Sequence, residues 1–260
     1  MDKLKQPQLG QTIQSLRQEK KMTQDELVEL CNVNVRTIQR IEAGEVTPRD
    51  YTVRAILNAL GHEFEQVESS IRKKISLNRM QIGWVAGIIY FVFGLIETGV
   101  DFSRFDPNNP IYFSLIYIAV KAISLVSFGL LMIGFVEVGK MFGSSLLKIA
   151  SYLMIGSFAV IELYDIVSLF SGITETEFWM IKGGEGIIFG SIDVIFGIAL
   201  FKLGKEMGTI GRAAGIFEIV AGALFVTIIL AFLGLFLLIP ATILEIILLH
   251  KCFERLKSSE

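Results

Sequence analysis

Residues 22–44 read MTQDELVELCNVNVRTIQRIEAG, and the folding of the first quarter of the chain is organised around them. Thr23 is followed three residues later by Glu26, a capping box in which each side chain satisfies a free backbone N–H at a helix start. Leu27, Leu30 and Cys31 then recur on one face of that helix. Asn32-Val33-Asn34 predicts a tight turn, because Asn tolerates left-handed backbone. Asn34 caps a second helix whose inward residues are Ile38 and Ile41, and Gly44 at the C′ position ends it. Working outward, Leu9, Ile13 and Leu16 form an apolar stripe before this stretch. After it, Pro48 precedes a helix carrying Val53, Ile56, Leu57 and Leu60, which Gly61 terminates. Residues 8–69 therefore read as a small bundle of short amphipathic helices.

At these residues the chain resembles the Cro/phage-repressor (XRE-type) helix-turn-helix family. The resemblance rests on Leu16-Arg17, on Met22 to Leu27, on Val33 to Gly44 without a gap, and on Pro48 and Ile56 to Gly61. Two positions depart from the family's pattern: Val28 replaces a small Ala, and Asn32 replaces a turn Gly. The resemblance implies that the helix Asn34–Ala43 lies in the DNA major groove, with Val35, Arg36, Gln39 and Arg40 toward base edges, where Arg reads guanine and Gln reads adenine. It implies phosphate anchoring by Thr23, Gln24, Asn34 and Thr37, and a structural ion pair between Arg17 and Glu42.

Beyond residue 80 the composition changes. Residues 1–80 hold 13 Lys/Arg and 11 Asp/Glu, almost half of the chain's charges in under a third of its length. Over all 260 residues, charged residues are 19% and hydrophobic ones 52%, against about a quarter charged for a soluble domain. These figures exclude a single globular domain, a disordered chain and a disulfide-built secreted scaffold. Cys31 and Cys252, far apart in sequence, predict no disulfide framework. No cleavable signal peptide is read at the charged start, so the first apolar helix is expected to act as its own insertion signal.

Apolar runs of spanning length lie at about Gln81–Gly99, Ile111–Val138, Ser145–Phe170 and Phe178–Leu203. Ile210–His250 is 41 residues, or about 60 Å as one helix, and must fold back. No polar marker is read in it, and the turn is expected near Phe232–Leu235. Pro240 then falls in the last helix. The predicted fold is all-α: a five-helix helix-turn-helix domain (1–69), a basic juxtamembrane linker (70–80), a six-helix transmembrane domain (81–252) and a tail (253–260). Arg72, Lys73, Lys74, Arg79, Lys140, Lys148, Lys202, Lys205, Arg212, Lys251, Arg255 and Lys257 fall on one side of the membrane, and only Arg104 falls in the loops of the other. The positive-inside rule places both termini in the cytoplasm and the protein in the inner, cytoplasmic membrane as a multi-pass protein. Gly139-Lys-Met-Phe-Gly143 and Gly204-Lys-Glu-Met-Gly208 occupy corresponding cytoplasmic turns, a weak internal echo.

Ionisable residues inside a span are costly and point to function by default. Here they are Glu97, Lys121, Glu162, Asp165, Lys182, Glu185 and Asp193, with Glu218 and Glu245 in the opposite half. All but Asp193 of the first set fall in one half and are read as lining one polar cavity. Two readings stand side by side: a sensing pocket for a ligand, cation or proton, and internal salt bridges that hold the bundle. No metal-ligand cluster, nucleophile elbow or phosphate-binding loop is found, so neither enzyme chemistry nor a cofactor is expected. The expected function is a membrane-anchored one-component transcription regulator. It binds a double-stranded DNA operator as a homodimer, lies among membrane lipids, and senses a small ligand, an ion or a membrane-protein partner. The alternatives are a transporter or channel with a regulatory helix-turn-helix domain, and a helix-turn-helix module that binds protein.

Overall fold

The computed structural model describes residues 6–258, and these hold ten helices and no strand. The chain divides into two compact units, Met1–Ser76 and Leu77–Glu260.

In the first unit α1 (Gln8–Glu19), α2 (Gln24–Cys31), α3 (Val35–Glu42), α4 (Asp50–Ala59) and the first turns of α5 (Phe64–Ser103) enclose one apolar core. Leu9, Ile13, Leu27, Ile38, Ile41, Ile56 and Leu57 are its fully buried centre, and Val67 and Ile71 of α5 close it. The caps fall where the sequence signals them. Thr23 Oγ1 accepts from Glu26 N, and the Glu26 carboxylate accepts from Thr23 N at 2.6 Å. Asn32 adopts the left-handed region at φ 53°, which Asn meets with little strain. Gly44 does so at φ 75°, and the Gly44 and Glu45 N–H groups return to the Ile41 and Arg40 carbonyls, a Schellman closure.

The second unit holds the rest of α5 with α6 (Phe113–Met141), α7 (Ser145–Ser168), α8 (Glu175–Met207), α9 (Thr209–Val226) and α10 (Ala231–Lys257). These six helices are long and apolar enough to cross a membrane. Their interior is a run of aromatic and aliphatic side chains, with Phe128 and Phe158 ring centroids 4.4 Å apart and Phe135 edge-on to Phe196 at 5.3 Å. Helices α8 and α9 approach closest, through Gly190 and Gly197 on one and Gly215 and Gly222 on the other. Small residues on facing helices permit this backbone-to-backbone contact. At the two turns of the sequence echo, Gly143 and Gly208 share a positive φ of 66° and 68°.

One expectation is corrected. The fold-back between the last two helices lies at Thr227–Leu230, ahead of the expected Phe232–Leu235. The Thr227 hydroxyl accepts from Leu230 N at 3.3 Å, and Ile228 takes φ 58°. The basic residues 70–80 lie within α5, a 40-residue helix. Pro240 sits inside α10.

Candidate functional sites

Helix α3 carries the residues for which nucleic-acid contact is expected. Its buried side, Ile38, Ile41 and Glu42, is fixed in the core. Arg36, Gln39 and Arg40 stand on the opposite side, exposed. The i, i+3 and i+4 spacing brings these three onto one face. Val35 and Thr37 are half-buried. Arg40 Nε lies 3.4 Å from Glu45 Oε2, with both side chains about half exposed. Such a surface pair is worth little and leaves the guanidinium available for exchange. Asn34 Oδ1 accepts from Arg36 N at 2.9 Å, capping the helix.

Two other expected phosphate contacts have side-chain partners within the domain. Gln24 Nε2 donates to Glu42 Oε2 at 2.8 Å, and the Thr23 hydroxyl is engaged with Glu26. Arg17 and Glu42 form a two-pronged pair, Nε to Oε1 at 2.7 Å and Nη2 to Oε2 at 2.9 Å, while Arg17 Nη1 donates to the Met22 carbonyl. The Glu42 carboxylate thus ties α1, α2 and α3 together from a buried position. Planar bidentate geometry makes such Arg–carboxylate pairs strong.

Hydrogen bonds from the Thr23 backbone and hydroxyl hold the Glu26 carboxyl below the ordinary carboxylate range. A depressed folded-state value gives stability that is complete above the unfolded value and is lost as pH falls through the folded one. The α2 cap is therefore expected to weaken only in acid below that range. A nuclear magnetic resonance titration of Glu26 in the full chain checks this. Thr23→Ala removes the hydroxyl and should return part of the shift, and an unchanged Glu26 titration would refute the assignment.

In the second unit the charged residues converge. Lys121, fully buried, reaches Glu97 Oε1 at 2.8 Å, Asp101 Oδ2 at 3.0 Å, Asp165 Oδ2 at 2.7 Å and Glu162 Oε1 at 3.7 Å. Lys182 pairs with Asp165 and with Glu185 Oε2 at 3.2 Å. The six residues read as one cavity lining are thus brought together. Three members were not foreseen. Asp101 accepts from the Tyr117 hydroxyl at 2.7 Å as well as from Lys121. Arg104, assigned to a loop, donates to Ser168 Oγ at 2.9 Å and lies 4.5 Å over the Phe178 ring. The missed signal was the i, i+4 spacing of Glu97 and Asp101.

Asp193 stands apart from this cluster. It is buried with Glu218 of α9 and Glu245 of α10, whose carboxyls neighbour one another through Glu218. A further buried carboxylate, Glu137, holds Arg79 at 2.6 Å and Lys140 at 2.9 Å. Among the described residues no group of three His, Cys, Asp or Glu side chains is placed to hold a metal ion.

A cavity of about 650 Å³ opens beside the Lys121 cluster, between α5, α7, α8 and α10. Glu97, Asp101, Glu162, Lys182 and Glu185 form its polar wall, and Tyr90, Phe158, Trp179, Phe189, Phe225 and Phe232 belong to its apolar wall.

Residues 8–68 match the model of a family described as a helix-turn-helix domain. The chain matches no curated protein and no solved structure. The matched stretch covers α1 to α4 and the start of α5, the same helices that carry the capping box, the Asn32 turn and the exposed Arg36–Arg40 face. Residues 8–68 are a helix-turn-helix domain, followed in the same chain by helices long and apolar enough to cross a membrane.

Proposed function

We propose that the protein is a membrane-anchored, one-component transcription regulator of the Cro/phage-repressor type, whose helical bundle senses a signal that alters operator binding. The observation that carries the proposal is the exposed Arg36, Gln39 and Arg40 face of α3, backed by the buried Ile38, Ile41 and Glu42, on a chain that also carries a polar cluster inside an apolar bundle. In this reading Arg36, Gln39, Arg40 and Val35 meet base edges. Thr23, Gln24, Asn34 and Thr37 meet phosphates, together with the backbone N–H groups at the α2 start. Palindromic operators are read by dimers, so the working form is a homodimer. Lys140 and Lys148 flank the α6–α7 turn, Lys202, Lys205 and Arg212 flank the α8–α9 turn, and Lys251, Arg255 and Lys257 end α10. That bias supports cytoplasmic termini in an inner membrane. No enzymatic role is proposed.

Selection of DNA sequences on the full chain in nanodiscs tests the proposal. A palindromic motif is expected. Arg36→Ala/Arg40→Ala should weaken binding at least ~30-fold, since each lost bidentate base contact is worth about 1–3 kcal/mol. No enrichment at ~50 mM salt, where phosphate contacts are strong, would refute the DNA reading and favour the protein-interaction or transporter alternatives.

A further inference from the structure

The cavity beside Lys121 has two chemically distinct walls. Most of it is aromatic or aliphatic, and the remaining side is a surplus of carboxylates. Glu97, Asp101, Glu162, Asp165 and Glu185 share the two ammonium groups of Lys121 and Lys182. Lys121 is buried and does not line the space; the four carboxylates Glu97, Asp101, Glu162 and Glu185 do, with Lys182 as the one cation among them.

Glu162 is the least satisfied of them. Its side chain is fully buried, neither oxygen accepts a hydrogen bond, and Lys121 stands 3.7 Å away. Its other charged neighbours are the Asp165 carboxylate and the Glu97 carboxylate, which lies in side-chain contact with it. Two adjacent carboxylates on the wall of an apolar space leave a gap that one further cation would fill. The aromatic rings nearby suit an organic cation, which is attracted to ring faces. An anion would meet carboxylates, and a neutral apolar molecule would leave Glu162 as it stands, buried without a donor. A volume of about 650 Å³ is that of a pocket for a drug-sized ligand.

We propose that this cavity binds an amphiphilic amine, an apolar body bearing one ammonium group, with the ammonium seated against the paired Glu97 and Glu162 carboxylates and the apolar body against Phe158, Phe189 and Phe225. The site deepens the sensor reading and rests on it for its regulatory meaning. The ammonium has two sources, a free amphiphilic amine or an aminated lipid headgroup.

The test uses the full chain in maltoside micelles, which contain no amine, titrated with dodecylamine or dodecanol and followed by the fluorescence of Trp179, which lines the cavity. Saturable dodecylamine binding is expected, at least ~10-fold tighter than dodecanol because of the ammonium contacts. Glu162→Gln should erase that preference. Gly186→Leu should weaken both probes, since Gly186 lines the cavity and a Cβ there meets only the Phe225 carbonyl oxygen, at an ordinary contact distance of 3.7 Å. If Glu162→Gln fails to fold, loss of amine binding in Gly186→Leu still reports on the site. Equal affinity for amine and alcohol, or an amine preference that survives Glu162→Gln, would overturn the proposal. Displacement of dodecylamine by phosphatidylethanolamine identifies a lipid headgroup as the source; failure to displace it identifies a free amine. Both results support an ammonium site. Operator binding, measured in parallel, separates the two readings. Dodecylamine that binds through Glu162 yet leaves operator affinity unchanged keeps the site and refutes the sensor.

Discussion

Glu42→Ala is expected to unfold the helix-turn-helix domain or bring it to the edge of unfolding. The Arg17 and Glu42 side chains are 12% and 3% exposed. Removing the carboxylate leaves a partly buried guanidinium with the Met22 carbonyl alone and takes away the acceptor of Gln24 as well. Breaking one side of a buried pair costs about 3–5 kcal/mol, against a total of about 5–15 kcal/mol for a typical domain. Hydrogen exchange on the full chain should show loss of protection across α1, α2 and α3 together, because the carboxylate joins all three. Arg17→Met/Glu42→Leu should recover much of that protection, since an apolar pair of similar volume leaves no buried charge. Unaltered protection in Glu42→Ala would show that the pair is dispensable.

In the second unit a large loss is expected from Gly197→Leu. A Cβ built at Gly197 falls 2.7 Å from Ile219 N and 2.9 Å from the Gly215 carbonyl oxygen. Both are backbone atoms, which cannot swing away as a side chain does, so α8 and α9 must separate. Overpacking costs about 1–3 kcal/mol where side chains can adjust and more where they cannot; the upper end or beyond is expected here. Gly156→Leu is the matched control, with open space at its Cβ position. The detergent unfolding midpoint of the full chain should fall sharply for Gly197→Leu and stay close to wild type for Gly156→Leu. Equal losses would mean that the glycine-lined approach does not hold the pair together.

Much of this architecture is legible in the sequence because it is written in local chemistry. Thr23 with Glu26, Asn32, and Gly44 specify caps and a turn without reference to the rest of the molecule, and the apolar runs specify six long helices. What was missed depends on partners distant in the chain. Gln24 reads as an exposed donor at a helix start. Only the arrival of Glu42, a buried carboxylate with acceptor capacity to spare, gives it a side-chain partner within the domain. Asp101 and Arg104 fall past the hydropathy boundary at Gly99, yet α5 continues to Ser103 and carries Asp101 one turn from Glu97. The turn at Thr227–Leu230 escaped because hydropathy does not change there. Its signal is one hydroxyl, Thr227, within an apolar run. Residues 70–80, the basic linker, are legible as helix. They contain no Gly or Pro, and Val67, Ile71 and Ile75 continue a stripe of period four, which is the mark of unbroken helix.

The order in which the buried charges occur along the chain bears on how such a bundle is made. An unpaired Lys at the centre of a helix entering a bilayer costs about 2.5–3.5 kcal/mol. Synthesis runs from the N-terminus, and Glu97 and Asp101 on α5 precede Lys121 on α6; Asp165 on α7 precedes Lys182 on α8. Each ammonium therefore emerges after a carboxylate that will hold it has already been made. In the membrane-anchored reading proposed above, neither lysine has to wait in hydrocarbon for a partner still inside the ribosome, and each insertion step can be completed by a helix already in place.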